Sequence, residues 1–93
     1  DFNQLLIEHT ASTYMFRVQG NEWEAAGVFD GDIAVVDRAL DPRKNDTILW
    51  WDEAAGEFAI SRRNGAPKAA AIWGVVTATI HQFRRKEPVN QAK

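Results

Sequence analysis

The sequence contains no cysteine, which excludes disulfide staples and thiolate metal sites and leaves stability to a buried apolar core. No apolar run approaches the length of a membrane span, and the opening residues, DFNQLLIEH, lack the basic-then-apolar order of a secretion signal. The two histidines, His9 and His81, each stand alone in their stretch, so no His/Asp/Glu set has the spacing of a metal site. Neither a metal nor a cofactor is expected. An excess of positive charge is also missing: 11 Lys and Arg stand against 13 Asp and Glu, a formal net charge of −2. That balance argues against a domain that gains its affinity by neutralising phosphates, and direct nucleic-acid binding is not expected. The basic clusters, Arg62-Arg63 and Arg84-Arg85-Lys86, read as solvated strand ends and tail. Together these absences point to a soluble, cytoplasmic protein.

What the chain does have suits one small β-rich domain. Its 93 residues leave no room for a second core. Four Trp and five Phe within a 45% hydrophobic composition can fill one. The patterning is mainly of period two. TYMFRVQ puts Tyr14, Phe16 and Val18 on one face, opposite Met15, Arg17 and Gln19. DIAVVD, TILWW and EFAIS read as further strands, separated by the turn clusters DPRKND and DEAAGE. In EFAIS, Phe58 and Ile60 share one face, and the adjacent Trp50 and Trp51 must face opposite ways, one in the core and one partly exposed. The run AAAIWGVVTATIHQF is too rich in β-branched residues for a helix and is predicted to be one long strand, with Gly74 marking a bulge or a close backbone approach. Only NEWEAAG, residues 21–27, has helical composition. The expectation is a mainly β fold of five or six strands with one short helix, an N-terminal arm over residues 1–11 and a tail over residues 84–93.

One turn raises the question of chemistry. Gln19-Gly20-Asn21-Glu22-Trp23 connects two strands as if to hold a reactive side chain, yet it carries no serine, cysteine or histidine. The blocks NQLLIEHTASTYMFRVQG, AAGVFDGDIAVVDRAL, GEFAI and WGVVTATIH resemble, in this order, the C-terminal domain of the LexA/UmuD self-cleaving proteins, the S24 peptidase group. The opening block is more similar to the UmuD branch, in its processed form, than to LexA. The resemblance implies a LexA/signal-peptidase-like β fold, a serine–lysine dyad and a role in the DNA-damage response.

The departures from that pattern bear on function. In the family the nucleophilic serine lies in an S-G-D-S-M turn, which aligns with residues 19–23 and puts Glu22 at the serine. The dyad lysine follows an E-F-x-x sequence, and Ser61 stands in its place. The mechanism needs a hydroxyl to attack and a neutral amine to take its proton, and neither residue type stands where it is required. No catalytic residue is therefore expected, and Glu22 alone, without a located partner, is weak support for residual S24-type peptidase activity. Glu22 accepting from Ser61 would make a structural plug of the old dyad. Between Arg63 and Trp73 only nine residues remain, where the family carries an additional pair of strands. The expected role is a binding subunit of UmuD type: a homodimer that docks on a translesion DNA polymerase or a RecA filament. Its interface is expected on the long last strand, read as an exposed edge whose alternating apolar residues pair with a copy of itself, at Ile72, Gly74, Val76, Ala78 and Ile80. The alternative is the oligomerisation domain of a phage or plasmid repressor of the LexA/CI type.

Overall fold

The computed structural model describes residues 11–84. The arm with His9 and the tail, apart from Ala11 and Arg84, lie outside the described residues. Five strands form a single antiparallel sheet: β1 (Thr13–Arg17), β2 (Ile33–Asp37), β3 (Thr47–Asp52), β4 (Glu57–Arg62) and β5 (Ala71–Ile80). Their order across the sheet is β1-β2-β5-β3-β4. The β3–β4 hairpin closes over a four-residue connection with Gly56 at φ 69°, where a side chain would be strained. The mainly β expectation holds strand for strand. The helix expected over residues 21–27 is instead a single 3-10 turn, Glu24–Ala26, stopped by Gly27 at φ 82°. Seven residues with glycine at one end are too few to repay helix nucleation.

The sheet buries apolar side chains on both faces. On one, Ala34, Val36, Leu49 and Ile60 meet Val18 and Val28 from the β1–β2 connection. On the other, Ile48, Trp50 and Ala59 pack with Ala66, Ala70 and Ile72. Trp23 packs against both clusters. The alternation expected of the tryptophan pair is observed, with Trp50 8% and Trp51 38% exposed. At 25 cal/mol per Å² the buried faces of such side chains stabilise the fold by about 2 kcal/mol each.

The position of β5 corrects one premise of the sequence reading. β5 is the central strand of the sheet and not an exposed edge: β2 pairs with it from Val75 to Ile80 and β3 from Ala71 to Val76. Because β3 begins at Thr47, opposite Val76, residues 77–80 have no strand beside them on the β3 side among the described residues, just as residues 71–74 have none on the β2 side. Both ladders shift register, between Val35 and Val36 and between Leu49 and Trp50, so β5 carries two irregularities. Gly74 lies between them, paired in register with Leu49, and meets the expectation of a close backbone approach. A Cβ there would sit 2.6 Å from Val36 Cγ1 and 3.3 Å from the Asp37 carbonyl oxygen, so the strands approach this closely only because the side chain is absent.

Candidate functional site

The D-G-D-x-x-x-V-D-R segment builds the framework beside the 19–23 turn. Asp30 accepts from the Gly20 N–H at 2.7 Å, which ties the 19–23 turn to the start of β2. Asp32, 1% exposed, accepts from the Phe29 N–H at 2.9 Å and from His81 Nδ1 at 2.6 Å. Asp37 accepts from the Ala39 N–H at 2.8 Å. Arg38 reaches across to β5, where its Nε donates to the Trp73 carbonyl at 2.8 Å and its guanidinium lies 4.1 Å from the centre of the Trp73 ring. These acidic and basic residues serve as turn and strand fasteners, each with a backbone or ring partner.

Trp73 is the hub of a groove on the Leu49 face. Tyr14 and Phe16 from β1 and Phe58 from β4 meet its ring edge-on, with centroids 5.1, 5.4 and 6.4 Å away. Beside it opens a cavity of about 260 Å³ lined by Phe16, Val18, Trp23, Leu49, Phe58 and Ile60, with Arg17 and Gln19 at its polar end. Glu22 adjoins this groove through Trp23. Its side chain is exposed and folds back over Gly20, whose missing Cβ would lie 3.7 Å from Glu22 Oε1.

Ser61 is engaged elsewhere. Its hydroxyl accepts from Trp50 Nε1 at 3.1 Å and donates to the Arg62 carbonyl at 2.9 Å. A hydroxyl has one proton, and that proton is committed to Arg62. The turn Glu24–Ala26 packs along β4, and no hydrogen bond joins Glu22 to Ser61. Among the described residues no three His, Asp or Glu side chains converge as metal ligands.

The sequence reading missed the Asp32–His81 pair. His81, 53% exposed at its side chain, follows β5 directly, and Asp32 precedes β2. The register Ile33↔Ile80 puts the two opposite each other. The signal was present in the sequence but depended on knowing that β2 and β5 are neighbours. Since Asp32 is a buried acceptor, His81 presents its Nδ1–H inward and leaves Nε2 to solvent. Ile72, Val76, Ala78 and Ile80 are half-buried and Gly74 is buried.

The Peptidase S24-like family profile matches residues 1–62. This chain belongs to the peptidase S24-like family. It is 33% identical to protein ImpA of Salmonella typhimurium over 102 positions, spanning 90% of this chain and 69% of that protein. It is 32% identical to protein SamA of Salmonella typhimurium strain LT2, at 90% and 70% coverage, and 25% identical to protein MucA of Escherichia coli, at 86% and 67%. These relatives mark it as a UmuD-like S24 domain. The family match ends at Arg62, the last residue of β4. The ImpA alignment, longer than the 93 residues of this chain, means that the relative carries segments absent here.

Proposed function

We propose that this S24 domain is catalytically inactive and acts as a dimeric binding subunit of UmuD type in the cytoplasmic DNA-damage response, docking on a translesion DNA polymerase. The observation that carries this reading is the state of the two dyad-equivalent positions. Glu22 is an exposed carboxylate with no hydroxyl to attack, and Ser61 has no amine and has its proton bonded to the Arg62 carbonyl. Family membership supplies the setting, and the loss of the nucleophile leaves binding as the retained activity. The homodimer interface is proposed at β5, where the open side of residues 77–80 presents Ala78 and Ile80; Ile72, Gly74 and Val76 lie in the stretch that β3 already covers.

The test is incubation of the purified protein, alone and with a RecA filament activated on single-stranded DNA, together with an intact UmuD or LexA substrate. We expect no fragment from either protein. A specific fragment that disappears in Glu22→Ala would overturn the reading.

A further inference from the structure

We propose that His81, oriented by Asp32, is an acyl-accepting site whose Nε2 takes the acyl group from small, uncharged donors with a weakly basic leaving group, such as aryl esters and anhydrides. The site uses neither Glu22 nor Ser61, so it stands apart from the loss of the S24 dyad. Its geometry is set where β2 begins and β5 ends. Asp32 closes a turn on Phe29, accepting from the Phe29 N–H through Oδ2 at 2.9 Å and donating its own N–H to the Phe29 carbonyl at 3.0 Å. That leaves Oδ1, on a residue 1% exposed, for His81 Nδ1 at 2.6 Å. The imidazole is thereby held with its Nδ1–H inward and the Nε2 lone pair outward.

A strap between two strand ends needs a donor and an acceptor, and any buried pair would serve. This one has an accessible ring as well. The His81 side chain is 53% exposed, while the rings of Phe83 and Phe29 meet it edge-on with centroids 5.2 and 6.3 Å away. With Gly27, Phe29, Asp32 and Thr79 it lines a cavity of about 380 Å³, a volume suited to a small molecule. Phe29, itself 44% exposed, supplies an apolar wall beside the imidazole.

The chemistry is a single displacement. Nε2 attacks the carbonyl carbon, an N–C bond forms, and the bond from that carbon to the leaving oxygen breaks, its electron pair departing with the oxygen. Positive charge develops on the ring as Nδ1 keeps its hydrogen, and the Asp32 carboxylate stabilises that charge from a position closed to water. A carboxylate behind a histidine also makes the outer nitrogen more basic. The surroundings set the donor class. Asp32 disfavours anionic donors, and the N–H groups of Gly27, Phe29 and Gly31 are bonded to Glu24, Asp32 and Val18. Those donors are not free to hold an oxyanion, so the leaving group itself must be weakly basic, which admits aryl esters and excludes peptide bonds.

With two histidines in the sequence, acylation is simple to assign. Diethylpyrocarbonate is an uncharged donor of this class, and the modified histidine is located by peptide mass spectrometry. At neutral pH we expect His81 to react on the order of tenfold faster than the imidazole of N-acetylhistidine. Asp32→Asn, with folding checked by circular dichroism, should bring the rate down to that of N-acetylhistidine. Asparagine offers one acceptor oxygen, and with the Phe29 N–H on it the amide donates to Nδ1 and leaves the ring hydrogen on Nε2, which then has no lone pair to attack. Phe29→Ala should slow the release of p-nitrophenolate from p-nitrophenyl acetate, measured above the level of His81→Gln, by roughly fivefold. A His81 no more reactive than N-acetylhistidine is a strap alone and would overturn the proposal. So would a folded Asp32→Asn that reacts at the parent rate, or a Phe29→Ala that leaves the ester reaction unchanged. Should Asp32→Asn not fold, the other two comparisons decide.

Discussion

At the scale of single residues Glu22 and Ser61, the two positions that the resemblance aligns with the dyad, differ in their surroundings. Ser61 is held by Trp50 and Arg62, and Glu22 stands in solvent. Ser61→Ala would leave Trp50 Nε1, on a side chain 8% exposed, without an acceptor. That should cost about 1–3 kcal/mol in a denaturation experiment. Glu22→Ala should move the midpoint by no more than about 0.5 kcal/mol, as for an ordinary surface change. A large loss for Glu22→Ala would restore the structural plug read from the sequence, in which the carboxylate accepts from Ser61. That plug assumed that a long residue and a short one, exchanged in place, would still meet. Both positions were assigned in the sequence through the resemblance alone, from the turn Gln19-Gly20-Asn21-Glu22-Trp23 and from EFAIS. The partner of Ser61 was not, because it depends on which ring nitrogen lies diagonally across β3 and β4.

Elements show the same division between local and long-range information. Every strand was readable locally, β1 and β4 from alternation, β2 as a short apolar run closed by charges and β5 from its β-branched residues, because such signals lie within each stretch whatever its neighbours. Strand order was not, because β5 inserts between β2 and β3 through contacts that no local pattern encodes. The premise that the last strand is an edge failed for that reason, and the Asp32–His81 pair escaped notice for the same one. The short helix failed differently: composition favoured it, but length and Gly27 did not. Gly74 was legible because a glycine inside a β-branched run has few explanations. Gly74→Ala would put a methyl 2.6 Å from Val36 Cγ1, on a residue that is fully buried and β-branched and so has little freedom to yield. The backbone there is not in the positive-φ region, so the cost is steric alone. We expect a loss of about 1–3 kcal/mol in chemical denaturation, with the far-ultraviolet spectrum retaining its β signature. A neutral result would mean that β2 and β5 separate more easily than their register implies.

For the whole molecule, the sheet order determines which surfaces remain for partners. Both outermost strands flank the Trp73 groove, β1 with Phe16 and β4 with Phe58, while β5 joins the β1–β2 half to the β3–β4 half. A substitution intended to break a dimer at β5 must therefore avoid breaking the domain. Val76 is a poor site for it, since it packs against the cluster of Val36 and Leu49 and pairs with both neighbouring strands. Ile80 is the better one, at the end of β5, paired with Ile33 on one side only and half-buried. If Ile80 is covered by a second copy, a lysine there would have to give up its hydration without a partner, a cost of several kcal/mol that association cannot absorb. We expect Ile80→Lys to lower the mass measured by light scattering at micromolar concentration, while circular dichroism and the thermal midpoint stay close to those of the parent. A parent protein that is monomeric at high concentration would remove the interface at β5 altogether.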